Sequence, residues 1–185
     1  MGDRDLAGID EGSARIVELD DALAAQLPMF RAAFAKVGES HIPALTLPAG
    51  LSGEQAVAFL AALARDGGLS PDRVPSTTRF LVVSGVLVGV FTLRHRLNDG
   101  LREKGGHVGY SVRPTARNRG YATQLLASAV SMAAGLGISR LLVTCDPLNL
   151  ASRRVIEKSG GVFSDEYFHA TLDRGVRRYW LTVPQ

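Results

Sequence analysis

Cysteine is almost absent. The single Cys145 leaves no intrachain disulfide framework, which suits a reducing compartment such as the cytoplasm. Long hydrophobic runs are missing as well. The longest, Phe80–Leu93, has 14 residues with Ser84 and Gly85 inside it, whereas a membrane-spanning helix needs about 20. It reads as two strands joined by a tight turn. The acidic N-terminus carries no apolar segment of the secretory type. Lysine is scarce: Lys36, Lys104 and Lys158 are the only ones, so 18 of the 21 basic residues are arginine. Compositional bias is lacking too, with 46% hydrophobic and 21% charged residues, which excludes disordered, collagenous and coiled-coil classes.

What is present is a charge reversal hidden in a net charge of +3. Residues 1–66 carry 5 basic and 10 acidic side chains. Residues 94–119 carry Arg94, Arg96, Arg102, Lys104, Arg113, Arg117 and Arg119 against Asp99 and Glu103. A cationic block this local implies an anionic partner. It is poor in aromatic residues, Tyr110 being its only one, which argues against nucleic-acid binding through stacking.

The length of 185 residues fits one domain over 14–185, preceded by a polar, flexible tail over 1–13. Apolar spacing predicts helices over 20–37 and from Ser52 to about 66, where Gly67 and Gly68 stop the second. Thr78–Ser84 and Val86–Arg94 form a predicted hairpin, followed by a polar loop over 97–106. Then come a strand over 107–113, a helix over 120–136, a strand over 140–145, a helix over 150–159 and strands over 162–168 and 177–183. This is one mixed α/β domain, with parallel pairing expected at its two helical crossovers and antiparallel edges at its end hairpins.

The chemistry concentrates in Tyr110–Ala122, a strand leading through a glycine-containing turn into a helix. Free backbone N–H groups and the helix dipole make such a turn an anion site. Arg117 and Arg119 add charge, and Gly120 permits close approach to a phosphate. The segment is neither a Walker A loop nor a dinucleotide fingerprint.

Arg117-Asn118-Arg119-Gly120-Tyr121-Ala122, then the strand Leu141–Cys145, Asn149 at the head of a helix and Gly160-Gly161-Val162-Phe163 resemble the core of the Gcn5-related N-acetyltransferase (GNAT) superfamily. Segments 94–98, 105–110, 144–146, 152–158 and 179–180 are more narrowly similar to a group of bacterial predicted acetyltransferases without an assigned acceptor. The resemblance implies an α/β fold with a mixed, mostly antiparallel central sheet, helices on both faces and a split at a cofactor cleft, acetyl-CoA as cosubstrate, no metal, and a small-molecule or peptide amine as acceptor. Relatives often dimerise. It places the pyrophosphate on the backbone of Arg119, Gly120, Tyr121 and Ala122, helped by Asn118 and the Arg117 side chain. It places the pantetheine arm along Ser111, Val112 and Arg113, with the Val112 N–H polarising the thioester carbonyl, and brings Asn149 and Ser152 to the cofactor's other side. Many relatives carry a proton-donating tyrosine seven residues after the asparagine, where this chain has Ile156. That departure leaves a non-catalytic acyl-CoA-binding module as the alternative. His107 is the leading substitute for proton exchange, with His95, Cys145 and Tyr179 behind it.

Overall fold

The computed structural model describes residues 14–184 except 40, 66 and 71. The expected tail, Met1–Ser13, lies outside the described residues. In chain order the elements are β1 (Arg15–Val17), α1 (Asp21–Ala24), α2 (Leu27–Ala35), α3 (Gly53–Leu63), β2 (Ser76–Val83), β3 (Val86–Arg94), α4 (Asp99–Glu103), β4 (Val108–Val112), α5 (Tyr121–Gly135), β5 (Arg140–Cys145), α6 (Leu150–Lys158), β6 (Val162–His169) and β7 (Arg174–Thr182).

The seven strands form one sheet in the order β1-β2-β3-β4-β5-β7-β6. Every pairing is antiparallel except β4 with β5. Only the α5 crossover yields a parallel pair; after α6 the chain runs to the edge as β6 and returns as β7 between β6 and β5. Two hydrophobic layers cover the sheet. On one face Leu125, Leu126, Ala129 and Ala133 of α5 pack with Ile156 of α6 against Val108, Val112, Leu141 and Val143. On the other face Leu27, Phe30 and Phe34 of α2 pack against Phe80, Leu87 and Val90.

Three elements differ from the sequence reading. The helix expected over 20–37 is two helices, because Pro28 has no N–H with which to continue the ladder past the turn at Gln26. The Gln26 Nε2 donates to Gly85 O at 2.9 Å and its Oε1 accepts from Leu87 N–H at 2.9 Å, and Pro28 then opens α2. The loop expected over 97–106 holds α4, whose first turn is capped by Asn98 Oδ1 accepting from Leu101 N–H at 2.9 Å. The three-residue β1 is too short for any periodicity to announce; it pairs with β2, and its Ile16 and Val17 pack against the two cores. The Ser52 helix start has the expected reciprocal cap, with Gln55 reaching back to the Ser52 N–H.

Candidate functional site

β4 and β5 share a single parallel register pair, Val108 with Val143. On one side of it the strands are tied together: His107 N–H donates to Leu142 O at 2.7 Å, and Leu142 N–H donates to His107 Nδ1 at 2.8 Å. On the other side they diverge into a fork. Residues 109–112 of β4 stay paired with β3 and have no partner on β5.

An antiparallel ladder turns alternate residues toward opposite edges. Arg113 N–H donates to Val88 O and Arg94 N–H to His107 O, both at 2.8 Å. Odd-numbered residues of this strand therefore face β3, and Tyr110 and Val112 turn their main-chain groups into the fork. Of Ser111, Val112 and Arg113, only Val112 faces the fork, joined by Tyr110. The backbones of Ser111 and Arg113 belong to the β3 ladder, and their side chains are buried.

At the open end of the fork, Gly120 caps α5 with φ of 80° and Asn118 has φ of 63°, both left-handed. A side chain at position 120 would meet open space but not that backbone conformation, which glycine alone adopts without cost. The first helical bond is Gln124 N–H to Gly120 O at 3.1 Å. The N–H groups of Tyr121, Ala122 and Thr123 precede it and have no intrahelical acceptor. Asn118, Arg119 and Gly120 are exposed beside them.

The Arg117 side chain does something the sequence did not indicate. Its Nη1 and Nη2 donate to Glu39 Oε1 and Oε2 at 2.7 and 2.6 Å, its Nε donates to Val112 O at 3.2 Å, and its guanidinium lies 5.7 Å from the centre of the Phe34 ring. The hydrogen bonds from Arg117 hold the Glu39 carboxyl below its ordinary pKa. The guanidinium expected at a pyrophosphate instead ties the segment after α2 to the loop before α5.

Across the fork stands α6. Asn149 Oδ1 accepts from Ser152 N–H at 3.0 Å, so Asn149 acts as a helix cap. Ser152 Oγ lies 2.9 Å from the Tyr110 hydroxyl, which bridges β4 and α6. Burial pushes the Tyr110 hydroxyl up to about 12 against the opposing effect of its bond to Ser152, so it stays protonated at neutral pH.

His107 is held apart from these groups. A backbone N–H can only donate, so the Nδ1 that receives Leu142 N–H carries no proton and Nε2 does. Burial, with Arg102 and Arg94 nearby, lowers the imidazole to about 4. With Nδ1 occupied and Nε2 already protonated, His107 has no free site to accept a proton, and its observed work is joining β4 to β5. The other sequence candidates are also occupied. His95 Nε2 lies 2.8 Å from Thr77 Oγ1. Tyr179 accepts from Arg177 Nε at 2.7 Å and donates to Glu157 Oε1 at 2.8 Å. Burial raises the Cys145 thiol to about 11, so it carries little thiolate at neutrality. Ile156 is fully buried in the core.

Sequence reasoning missed Tyr110 and Glu39 as members of this region. Tyr110 was accessible in principle, since it shares a strand face with Val108 and Val112. Glu39 gave no signal, because its partner is 78 positions away. Among the described residues no group of three or more His, Cys, Asp or Glu side chains could hold a metal, and no helix is long and apolar enough to cross a membrane.

The chain matches the family of acetyltransferase (GNAT) domains over residues 24–162. No curated protein matches it. Among solved structures it is similar to an acetyltransferase of the GNAT family from Streptococcus pneumoniae, at 18% identity and a TM-score of 0.62, covering 92% of this chain and 99% of that one. It is similar to yncA, a putative acetyltransferase from Salmonella typhimurium bound to its cofactor acetyl-CoA, at 18% identity and a TM-score of 0.60, covering 94% and 95%. A third, at 15% identity and a TM-score of 0.63, covering 93% and 96%, is the Salmonella typhimurium acetyl transferase that modifies the N-terminal serine of 50S ribosomal subunit protein L7/L12. At these identities the likeness is one of fold.

Proposed function

The chain belongs to the GNAT acetyltransferase family, and from that premise we infer that it transfers the acetyl group of acetyl-CoA to a primary amine of a small molecule or peptide. The observation that carries this reading is the fork: β4 and β5 separate after one pair, and Val112 turns its main-chain N–H toward the gap while its carbonyl accepts from Arg117. The pantetheine arm would add to β4 there as a short extra strand, with the pyrophosphate on the N–H groups that begin α5 without an intrahelical acceptor.

In the reaction the neutral amine attacks the thioester carbonyl carbon, forming the C–N bond. The oxyanion accepts a hydrogen bond from the Val112 N–H. Collapse breaks the C–S bond, and the leaving thiolate takes a proton. Tyr110 is the donor we assign, since it is protonated, partly buried and aimed at Ser152 across the fork. It would do from β4 what the tyrosine of other family members does from the helix that here carries Ile156. The attacking nitrogen, cationic once the C–N bond has formed, loses one proton to solvent, and solvent returns a proton to Tyr110. His107 positions β4 on β5 and takes no part in proton transfer.

Acetyl-CoA should raise the thermal midpoint of the wild-type protein and leave that of Gly120→Val unchanged, because valine is strained at this left-handed position. Thiol release with an amine panel completes the test. No midpoint rise at saturating acetyl-CoA would sink the reading. The buried Ile156 favours one second reading, a module that binds acyl-CoA without turnover; a midpoint rise without thiol release from any amine would select it.

A further inference from the structure

Arg94, at the end of β3, sends its side chain to the closed end of the fork. Its Nη1 donates to Gly105 O at 3.0 Å and Gly106 O at 3.2 Å. These glycines lie against β5: Gly105 N–H donates to Thr144 Oγ1 at 3.1 Å, and a Cβ on Gly106 would collide with Leu142 O. Arg94 also lines a cavity of about 170 Å³ together with Arg73, Asp72, Thr46, Ser76 and Thr92. Thr92 is the register partner of Gly109, the first residue of β4 beyond its pairing with β5. The cavity therefore abuts the vertex of the fork on the face covered by α1 to α3.

The charge there is unbalanced. The acceptors of Arg94 are neutral carbonyls, and among the described residues no carboxylate pairs with it. Burial lowers its pKa, and no neighbouring charge opposes that effect. The Asp72 side chain is fully exposed and hydrogen-bonded by Ser70. A half-buried guanidinium without a counter-ion matches a carboxylate, which it can bind through two parallel N–H groups.

We propose that this cavity receives a carboxylate of the acceptor, making Arg94 a specificity-determining residue for amines that also carry a carboxylate. The proposal rests on the acetyltransferase reading above. The volume has room for about half a dozen water-sized groups. Neighbouring strands lie about 4.8 Å apart, so the span from a carboxylate beside β3 to an amine at the far edge of β4 favours longer amino acids.

The test offers glycine, β-alanine, γ-aminobutyrate and δ-aminovalerate, each beside its carboxamide, to the wild-type protein and to Arg94→Gln, with acetyl-CoA binding followed by thermal shift. The wild type should prefer the acids over their amides by about 10- to 100-fold in kcat/KM, the range expected for a charged hydrogen-bonded contact, and most strongly for the longer pairs. Arg94→Gln should bring the ratio close to one while acetyl-CoA still raises the midpoint. If Arg94→Gln does not fold, Arg94→Lys carries the test, since it keeps the charge but loses the planar fork and should reduce the ratio severalfold. Equal use of acids and amides by the wild type, or an unchanged ratio in the variant that folds, overturns the inference alone. Absence of acetyl-CoA binding by the wild type overturns the acetyltransferase reading and this inference with it.

Discussion

Lowering the pH from 7.5 to 5 should destabilise the wild-type protein more than a His107→Asn variant, and the difference measures the work of one imidazole. The folded His107 is neutral because Nδ1 accepts the Leu142 N–H and burial lowers its pKa to about 4. The unfolded imidazole keeps its ordinary value near 6.5. As the pH falls to 5 the unfolded chain takes up a proton at this position and the folded chain does not, so the unfolded state gains. The stability is fully present above about 6.5 and is lost progressively toward about 4. Over that whole window the loss approaches about 3 kcal/mol, of which about 2 kcal/mol has gone at pH 5. In a chain of this length each kcal/mol moves the midpoint by about 2–4 °C, so the extra fall at pH 5 is about 4–8 °C. Asparagine can still accept the Leu142 N–H through Oδ1 but does not titrate, which isolates the proton. Thermal melts of both proteins across the pH range read the difference. Parallel pH dependences would refute the buried neutral imidazole. A His107→Asn protein with an intact midpoint but a kcat more than 100-fold reduced would return His107 to catalysis.

Tyr110→Phe removes the assigned proton donor while keeping the ring, and should lower kcat by about 100-fold with little change in the KM for acetyl-CoA; steady-state kinetics check this, and an undiminished kcat excludes Tyr110 as the donor. Glu39→Gln releases Arg117 and removes a carboxylate from the approach of the pyrophosphate. The ion pair is exposed, 40% and 41% by side chain, so its loss should cost less than about 1 kcal/mol of stability. Calorimetric titration should show acetyl-CoA binding tightened up to about 5-fold at low salt; weaker binding would mean that the clamp organises the loop rather than competing for Arg117.

The N–H turn before α5, the Asn149 cap and most element boundaries were legible in the sequence because each depends on residues close in the chain: a glycine at a helix start, a cap three positions from its N–H, apolar spacing along one face. The bonds of the Gln26 side chain were not, since their partners in the β2–β3 turn lie about 60 positions away. Separations of 78, 42 and 35 positions likewise hid the partners of Arg117, Tyr110 and His107. A histidine opening a central strand reads as a proton shuttle until β5 is laid beside it and Leu142 N–H fills its lone pair.

The cationic block shows the division most clearly. Its residues sit between 94 and 119 in the sequence, and the sequence by itself determined that positive charge and an anion-binding turn belong to one stretch of chain. Only the tertiary structure decided what each charge does. Arg117 meets Glu39, Arg94 turns to the closed end of the fork, and the open end holds the N–H groups of Tyr121, Ala122 and Thr123 that no helical bond uses. The physical reason is that net charge accumulates along the chain, whereas a charge's partner and its exposure to water depend on which strands and helices fold against it.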